Sequence, residues 1–368
     1  MNKAIKYRLY PTKEQEEMFA KTFGCCRKIW NLMLNDKIEH YKLTKKMLQT
    51  TPAKYKKQEE YKYLKEVDSL ALANVQLHLQ TAYKNFFRDK KIGFPKFKSA
   101  KHSKKTYTTN NQNGTVSIIG NGIKLPKVGI VKAKIHRKPD TDWKIKSATI
   151  SQDSDGKFYA SILYEFEKIV SKVPISDRVI GLDYKSDGLY ADSDGNVCGS
   201  PKYYRKSQKK LARLQRQLSR KENGSNNRNK ARLKAARLQK HTANQRLDFL
   251  HKKSTEIANQ YDVVCVESLD MKNMSNKGFG NGKATLDNGY GLFLTMLEYK
   301  LADRGKYFVK VDKWYPSSQL CYCCGKQHKE MKNLLTRQFV CDCGYKNDRD
   351  INASLNIKKE GLRLITVA

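Results

Sequence analysis

Three acidic residues in the second half of the chain stand where carboxylates can meet in a shared cleft. Asp183 ends the apolar run 179–182, Glu267 ends the run 263–266, and Asp350 begins a predicted helix. Three carboxylates in one cleft can hold two divalent metal ions that activate water and stabilise the leaving oxygen in phosphodiester hydrolysis. Hard oxygen ligands suit Mg²⁺. We therefore predict that Asp183, Glu267 and Asp350 are catalytic residues that bind Mg²⁺, with two ions in the site.

Each acid taken alone also has a structural interpretation. Asp183 at a strand end could form a turn, and Asp350, which precedes Asn352, could cap its helix. Glu267 directly follows four apolar or thiol residues. Burying a carboxylate is costly, so a structural role explains Glu267 less well. The order of the three acids, in a chain with the charge signature of nucleic-acid binding, favours the catalytic interpretation.

A cluster of cysteines lies between the second and third acids. Two thiol pairs, each followed by glycine, are separated by 16 residues and consist of Cys321, Cys324, Cys341 and Cys343. This spacing is typical of a zinc ribbon, and four thiolates leave no open position on the metal, so we predict a structural Zn²⁺. Cys323 is a spare thiol, and a set of free thiols is the alternative. The uneven distribution of the nine cysteines indicates a metal site in a reducing compartment, not a disulfide framework.

The composition indicates a folded protein with a polyanionic partner. The 368 residues include 73 Lys and Arg against 36 Asp and Glu, a formal charge of +37, and 39% are hydrophobic. Such an excess of positive charge is typical of nucleic-acid binding. No run approaches the about 18 apolar residues of a membrane-spanning helix, and residues 1–8 contain no apolar signal-peptide region. We expect a cytoplasmic protein with no membrane partner.

The elements of the first half fall into two kinds. Residues 1–10 form a predicted strand, and helical periodicity then continues with interruptions to about residue 90. Short β-rich runs with Gly and Asn between them fill residues 106–166, and the turn signal at 153–156 predicts a hairpin. We predict a small barrel or curled sheet. If the N-terminal strand joins that sheet, the helical region is an insertion.

The second half predicts the elements that must position the acids. In chain order they are a strand ending in Asp183, a hairpin, two helices, a strand ending in Glu267, a helix, a strand, and the helix that carries Asp350. This is the order of an RNase H-like mixed sheet, in which acids from separate elements meet at one end. The two helices lie within residues 201–255, which hold 18 Lys and Arg against two acids. We predict a helical hairpin with basic flanks that contact nucleic acid. The predicted apolar seam comprises Leu211, Leu214, Leu218, Leu233, Ala236, Ala243, Leu247, Leu250 and Ile257.

Several stretches resemble the TnpB family, the RNA-guided nucleases of bacterial insertion sequences that are related to type V CRISPR effectors. The most specific are residues 315–321 (YPSSQLC) and 348–357 (DRDINASLNI). Weaker matches lie at residues 7–11, 93–98, 124–127, 181–183 and 266–267. The resemblance therefore extends nearly from end to end of the chain.

The resemblance implies an α+β multidomain fold with four parts. A β-barrel wedge domain would comprise residues 1–10 and 91–172, with a helical recognition insert at 11–90. An RNase H-like RuvC nuclease domain would comprise residues 173–316 and 345–368. It would be interrupted at 317–344 by a zinc-ribbon module that binds target nucleic acid.

The resemblance also implies a metal-dependent endodeoxyribonuclease guided by RNA. By family role, Asp183, Glu267 and Asp350 are the metal-binding acids, and the neighbouring Asp348 is not. The partners would be a guide RNA and double-stranded target DNA, which is cut next to a short adjacent motif. A guide reads sequence by base pairing, so the protein needs mainly backbone contacts and a positive channel.

The surface that reads the adjacent motif in the family maps to a helix start and a loop of this chain. Its residues here are Ser69, Leu70, Ala73, Asn111, Gln112 and Asn113. Leu70 and Ala73 cannot form bidentate hydrogen bonds with a base. Asn and Gln can pair with adenine, and apolar groups can meet thymine methyls, so we predict an A/T-rich motif.

Alternatives to a transposon-guided nuclease remain. The stretch 181–185 lacks the small residue that many relatives carry after the catalytic Asp, and Lys185 could compete for the carboxylate of Asp183. One alternative is a nuclease-silent RNA-guided regulator that binds DNA without cutting it. Another is a nuclease of the same lineage that takes its guide from a CRISPR array. A simple DNA-binding protein would leave the strand-end acids unexplained, and the sequence sets no oligomeric state.

Overall fold

The computed structural model describes residues 1–89, 91–276, 282–333 and 335–367. The chain forms two compact units, Met1–Lys168 and Ile169–Ala368. Among the described helices, none is long and apolar enough to span a membrane. The predicted boundary at residue 90 and the chain end at residue 368 lie outside the described residues, and the finer four-part division stays a prediction.

The first unit combines helices with a sheet. Strand β1 (Asn2–Tyr10) precedes helices α1 (Lys13–Thr44), α2 (Pro52–Lys56) and α3 (Ser69–Arg88), with a 3-10 helix at Glu59–Lys65. Six strands follow: β2 (Lys105–Asn110), β3 (Ser117–Ile119), β4 (Gly122–Leu125), β5 (Gly129–Lys134), β6 (Lys144–Gln152) and β7 (Phe158–Glu165).

The seven strands form one curled antiparallel sheet in the order β2-β6-β7-β1-β5-β4-β3. Strand β1 pairs with both β5 and β7, so the prediction that the N-terminal strand joins the sheet is confirmed. The predicted hairpin turn is also present, because Gly156 N–H donates to the Asp153 carbonyl at 2.9 Å with a positive φ of 86°. The β-rich runs of the sequence, at 115–119, 129–135, 144–151 and 158–166, correspond to β3, β5, β6 and β7. They do not include β2, which is polar, or β4, which has only four residues.

The helices of the first unit share a core with the sheet. Thr12 caps α1 through a capping box with Gln15, which satisfies free N–H groups of the first turn. One turn further, the Phe19 ring lies 5.4 Å from Phe158 and 6.4 Å from Tyr107, centroid to centroid. Burial of these rings fixes the helical segment to strands β2 and β7 of the sheet.

The second unit begins with strands β8 (Val179–Tyr184), β9 (Gly188–Asp192) and β10 (Val197–Gly199). Helices α4 (Tyr203–Ser219) and α5 (Asn226–Gln260), strand β11 (Val263–Glu267), and helices α6 (Met271–Met274), α7 (Gly282–Asn288) and α8 (Tyr290–Ala302) follow. The unit ends with β12 (Tyr307–Val311), a 3-10 helix at Lys329–Lys332, β13 (Gln338–Val340), β14 (Lys346–Asp348) and α9 (Arg349–Val367).

Five of these strands form a mixed sheet in the order β10-β9-β8-β11-β12. Strands β8, β11 and β12 are parallel to one another, and β9 and β10 continue the sheet as an antiparallel edge. The predicted RNase H-like order is therefore present. Residues 263–266 of β11 are fully buried, as expected for a parallel strand covered on both faces.

The basic helices α4 and α5 pack against each other as the predicted hairpin, but part of the predicted seam is wrong. Leu211, Ala236 and Leu250 are buried, whereas Leu247 is 39% exposed and Ala243 is also exposed. Thr242, which is buried and donates its hydroxyl to the Leu238 carbonyl, lies on the inner face instead. Along its 35 residues α5 packs first against α4, where the hydroxyls of Thr242 and Ser207 contact each other, and then into the core that Leu250 shares with α8, so one heptad stripe does not describe its buried face.

Candidate active site and cysteine cluster

Two of the predicted catalytic acids end neighbouring parallel strands. In the β8–β11 register, Leu182 pairs with Val266, and Asp183 and Glu267 each follow those residues by one position. Parallel strands end at the same edge of a sheet, so the two carboxylates project from adjacent positions of that edge. Both side chains are half-buried and line one cleft of about 400 Å³.

The third acid reaches the same cleft from helix α9. A Cβ on Gly181 would lie 2.8 Å from the Lys358 backbone nitrogen, and one on Gly361 would lie 2.7 Å from Cys265 Cβ. Glycine at both positions therefore lets α9 lie directly on β8 and β11. Asp350 lies in the first turn of α9 and lines the cleft with Asp183 and Glu267.

The helix cap is supplied by a different acid. Asp348 Oδ1 accepts hydrogen bonds from the backbone nitrogens of Asp350 at 2.8 Å and Ile351 at 3.2 Å. This is the usual bonding of a capping carboxylate at a helix start. The capping interpretation considered for Asp350 therefore belongs to Asp348, and the Asp350 carboxylate is free to face the cleft.

The acids are electrostatically unfavourable together. Burial raises the pKa of Asp183 well above its usual value, and the nearby charges of Glu267 and Asp350 raise it further. Burial also raises the pKa of Glu267 to about 7. Both shifts mean that desolvation makes the charged carboxylates costly unless positive charge joins them. Such shifts in a cleft are typical of functional sites.

Basic side chains supply part of that positive charge. Lys185 Nζ lies 2.6 Å from Asp350 Oδ2, and Arg337 Nη1 lies 3.8 Å from the same oxygen. The sequence predicts that Lys185 competes for the carboxylate of Asp183, but it pairs with the carboxylate of Asp350 instead. Lys185 is two residues beyond Asp183, so its Nζ reaches past that carboxylate to the helix. Arg349 is only 7% exposed, lines the cleft, and lowers the pKa of Asp183 by its charge.

The carboxylate oxygens of this cleft are of the kind that bind a hard cation such as Mg²⁺, but they do not converge on one point. Among the residues that the structure describes, the group of side chains whose ligand atoms are close enough to share one ion is the set of four cysteines, and it does not include the three acids. The three carboxylates line one cleft without that degree of convergence. Mutual repulsion and the Lys185–Asp350 ion pair account for the separation. The roles of Asp183, Glu267 and Asp350 as ligands stay predictions.

The four predicted zinc ligands do converge. The sulfur atoms of Cys321, Cys324, Cys341 and Cys343 all lie within 4.8 Å of one another. Two of the separations are 3.7 Å, between Cys321 and Cys343, and 3.6 Å, between Cys324 and Cys341. A tetrahedron with Zn–S bonds of about 2.3 Å has sulfur–sulfur edges of about 3.8 Å, so this cluster fits a structural Zn²⁺. The spare thiol of Cys323 is exposed and lies outside the group.

Local turns hold the thiols in place. Gly325 and Gly344 have φ values of 77° and 88°, and their N–H groups donate to the carbonyls of Cys321 and Cys341 at 2.9 and 3.0 Å. Positive φ favours glycine, which explains the glycine after each thiol pair. Two similar turns thus present the two pairs to each other.

Sequence reasoning missed several residues around these sites. His328 is buried, with Nε2 at 3.2 Å from Cys341 Sγ and Nδ1 at 2.9 Å from Glu330 Oε1. Its position four residues after the first thiol pair is the only sequence signal for it that we find. The ring lies against a sulfur of the cysteine cluster and supports its position.

Two asparagines of α9 join the cysteine module to the helix of Asp350. Asn352 Nδ2 donates to the Leu320 carbonyl at 2.8 Å, and its Oδ1 accepts from Tyr322 N–H at 3.2 Å. Asn356 Nδ2 donates to the carbonyls of Ser317 and Leu320 at 2.9 and 2.7 Å. Both asparagines are buried, so these hydrogen bonds are shielded from water. They fix the start of the first thiol turn to the helix that carries the third acid.

The predicted motif-reading residues lie close together in the first unit. Asp68 caps α3 through the Leu70 N–H and accepts a hydrogen bond from Thr109 near the end of β2, which places the helix start beside the loop that follows β2. Ser69, Ala73, Gln112 and Asn113 are exposed, and Leu70 is half-buried. The Asn111 amide bonds to the Ile145 carbonyl and the Val116 N–H, both at 3.0 Å, so it is committed to the backbone. A base-reading role of the set stays a prediction.

Fold and site together define a class of proteins that combine an RNase H-like sheet, acids at its carboxyl edge and a four-cysteine module. Family models match three stretches of the chain. Residues 161–278 match OrfB_IS605, described as "Probable transposase", and residues 290–357 match the Cas12f1-like TNB domain. Residues 1–46 match a model described as a helix-turn-helix domain. In this structure, those 46 residues hold strand β1 and the single helix α1.

Full-length relatives identify the family. The chain is 34% identical to a Streptomyces pristinaespiralis protein named "Putative RNA-guided DNA endonuclease", over 98% of this chain and 90% of the relative. It is 33% identical to a protein of Escherichia coli K12 with the same name and the addition InsQ, over 97% and 92% of the two chains. The chain therefore belongs to the TnpB family of RNA-guided, transposon-encoded DNA endonucleases.

A solved structure shows the same fold. The chain superposes on a protein from a cryo-EM structure titled as the Cas12f1-sgRNA-target DNA complex with a TM-score of 0.62, covering 97% of this chain and 98% of that one. The sequences are 13% identical. The architecture is thus retained where the sequences have diverged.

Proposed function

We propose that this protein is an RNA-guided DNA endonuclease that cuts guide-matched DNA next to a short adjacent motif by two-metal hydrolysis. The observation that carries the proposal is the meeting of Asp183, Glu267 and Asp350 in one cleft of a TnpB-family chain. Its partners would be a guide RNA and double-stranded target DNA, as the names of its relatives suggest. The Cas12f1 structure, titled as a complex with sgRNA and target DNA, supports the same partners.

The residues of the cleft divide into two roles. Asp183, Glu267 and Asp350 would hold the metal through carboxylate oxygens, which suit Mg²⁺. Bound Mg²⁺ would supply an activated water and stabilise the leaving oxygen. Arg337 brings positive charge to the same wall and would orient the scissile phosphate.

The charge of the two basic helices would serve binding rather than chemistry. Helices α4 and α5 expose most of their Lys and Arg side chains along the hairpin, and basic side chains including Arg220, Lys221, Lys230 and Lys234 line a groove at its tip. A phosphate backbone neutralised by such side chains releases counterions, which favours binding without sequence preference. This would let base pairing with the guide supply the specificity.

The first unit would provide the wedge and recognition parts and read the adjacent motif. Exposed side chains near the start of α3 and in the loop after β2 would contact the bases, with Gln112 and Asn113 as the polar readers. Amides of this kind pair with adenine in the major groove. The two hydrogen bonds from the Asn111 amide to the backbone make it a positioning residue for that loop.

One observation favours the nuclease-silent alternative. Lys185 holds Asp350 in an ion pair that a metal ion would have to displace. If the lysine is not displaced, the chain would bind guide-matched DNA without cutting it. A guide taken from a CRISPR array is a further alternative, which the source of the bound RNA separates from a transposon guide.

The test is expression of the protein with its native flanking DNA, followed by sequencing of the co-purified RNA. A discrete RNA that ends in sequence from outside the element would define the guide. The purified complex is then incubated with Mg²⁺ and a plasmid library that carries the guide match beside randomised bases. We expect cleavage of the plasmids with one short adjacent motif. Enrichment of those plasmids without cleavage would favour the regulator, and the absence of enriched RNA would contradict the guided mechanism.

A further inference from the structure

Trp314 is exposed to an extent that the fold does not explain. The chain has three tryptophans. Trp30 is 7% exposed, and Trp143 stacks on Phe166 with ring centroids 4.1 Å apart. Trp314, in contrast, is 80% exposed. A single exposed apolar side chain is ordinary on a protein surface, so the place of this ring in the fold decides whether it has a binding role.

The backbone around Trp314 is held in a defined turn. Trp314 N–H donates to Asp312 Oδ1 at 2.8 Å, and Tyr315 N–H donates to the Asp312 carbonyl at 3.1 Å. Tyr315 packs against the core on the α9 side of the sheet. The ring of Trp314 is therefore presented from a fixed turn between two anchored residues.

That turn lies at the catalytic edge of the sheet. It follows β12, whose last residue Val311 pairs with Glu267 and accepts a hydrogen bond from Ser268 N–H at 3.0 Å. Trp314 lines the same cleft as the three acids. Lys313 Nζ lies 4.7 Å from the centre of the Trp314 ring, so a cation accompanies the aromatic surface.

We propose that Trp314 is a stacking platform for an unpaired base of the nucleic-acid strand that enters the acidic cleft, with Lys313 beside it to meet the strand's phosphate. This inference rests on the proposed function, because it names how the strand is positioned at that site. A base stacks on tryptophan only when one of its faces is free, and bases inside a duplex have neighbours on both faces. The platform therefore selects single-stranded over double-stranded nucleic acid at the cleft.

Tryptophan fluorescence tests the platform without any cleavage. Oligo(dT) is titrated into the zinc-loaded full chain in buffer without magnesium, for wild type, Trp314→Phe and Trp143→Phe. We expect quenching in wild type and in Trp143→Phe, and its loss in Trp314→Phe, since the fluorescent ring at the cleft is then absent. A fully paired, blunt-ended duplex should quench less than oligo(dT). Quenching that persists in Trp314→Phe, or that is equal with the duplex, would overturn the proposal.

Binding affinity separates stacking from folding. Trp314→Ala should weaken oligo(dT) binding by about 10-fold, as expected for the loss of one base–aromatic stack, and Trp314→Phe should restore most of it. In the guided complex the same Ala variant should raise KM with little change in kcat, because stacking holds the bound strand before and during reaction. Unchanged affinity in Trp314→Ala would contradict the platform.

Two further outcomes keep this inference distinct from others. If the wild-type complex cuts no DNA but oligo(dT) still quenches Trp314, the proposed function fails and the platform stands. If the wild-type complex cuts DNA but Trp314→Ala is unaffected in binding and KM, the function stands and the platform fails. A change of Trp314 fluorescence with protein concentration alone, with sedimentation showing a dimer, would assign the ring to contact with a second copy and overturn the proposal.

Discussion

The acid cluster and the cysteine cluster of the second unit are built in opposite ways. The four thiols lie within 4.8 Å of one another and are held by two local turns, so their geometry is complete within one short module. The three acids come from β8, β11 and α9, and burial and mutual charge raise the pKa of Asp183. The thiol site is therefore organised by local sequence, whereas the acid site is organised by the tertiary fold and costs stability.

The two clusters are nevertheless joined. Asn352 and Asn356 attach the first thiol turn to the helix that carries Asp350. Loss of the cysteine cluster should then disturb the acid cluster, whereas loss of an acid should leave the cysteine cluster intact. This asymmetry can be tested from both sides.

The largest expected effect is on the acid side. Asp183→Asn keeps the shape of the side chain but removes its charge, and it should lower cleavage by about 1,000-fold or more, because metal stabilisation of the transition state supplies several kcal/mol. Zinc content and binding of RNA and target DNA should remain unchanged. Cleavage assays and filter binding on the same preparations measure both. Asp177→Asn, an exposed acid just before β8, is the matched control, and loss of RNA binding in Asp183→Asn alone would contradict its assignment.

Removal of a thiol should affect both clusters. Cys321→Ser should lose zinc, unfold the module locally and reduce cleavage by about 10-fold or more, because the Asn352 contact no longer holds α9. Metal analysis and limited proteolysis give the first two results. Cys323→Ser changes the exposed neighbour outside the cluster and should match wild type. Full cleavage by zinc-free Cys321→Ser would show that the acid cleft does not depend on the module.

Contact between α9 and the sheet can be disturbed without touching either cluster. Gly361→Ala would place a methyl group 2.7 Å from Cys265 Cβ, and overpacking of this kind should cost about 1–3 kcal/mol of unfolding free energy. Denaturant unfolding measures the loss. Gly199→Ala adds the same methyl group where nothing lies within 4 Å and should be nearly neutral. Equal stability of the two variants would mean that α9 does not lie against β11 as described.

Burial of the Glu267 carboxylate should make the stability of the protein depend on pH when no Mg²⁺ is bound. The pKa of Glu267 is raised from 4.5 to about 7, so between those values the folded state keeps a proton that the unfolded state has lost, and stability falls as pH rises. Glu267→Gln should remove this loss. At pH 8 it should be more stable than wild type by on the order of 2 kcal/mol, with little difference near pH 4. Thermal unfolding at the two pH values measures this, and an equal offset at both would argue against burial as the cause.

The smallest expected effect concerns the ion pair at Asp350. Lys185→Met keeps the length of the side chain but frees the carboxylate, so half-maximal cleavage should need about 3-fold less Mg²⁺, in line with the modest worth of one partly exposed ion pair. A magnesium titration of cleavage measures the shift. A need for more Mg²⁺, or a loss of cleavage, would instead place Lys185 among the residues that orient the phosphate.

The contrast between the clusters also explains what the sequence could predict. The cysteine spacing and the glycine after each pair encode a local geometry, so all four thiols of the cluster could be named from it. The sequence order of the strands predicted the mixed sheet and thus where Asp183 and Glu267 lie. The ion pair of Lys185 with Asp350, instead of Asp183, depends on how α9 crosses the sheet, and no spacing encodes that crossing.

The true α5 seam, the contact of His328 and the hydrogen bonds of the α9 asparagines also could not be predicted, because each depends on tertiary packing. The wrong positions in the α5 seam, Ala243 and Leu247, came from a single heptad stripe, whereas α5 packs against α4 along one part of its length and against α8 along another. His328 contacts a thiol across the module, and a lone histidine gives no periodic signal. The asparagines of α9 were visible only as part of a family motif, and their hydrogen bonds to Leu320 became evident from the structure.

Counting bound Mn²⁺ shows whether the three carboxylates hold the catalytic metal. Electron paramagnetic resonance would count Mn²⁺ bound to the zinc-loaded protein in complex with its RNA, in wild type and in the double variant Asp183→Asn, Glu267→Gln. Mn²⁺ ions bound to the RNA are present in both samples, so they do not contribute to the difference in the number of bound ions. The account predicts about two more bound ions in wild type than in the double variant. Equal numbers in the two samples would contradict it.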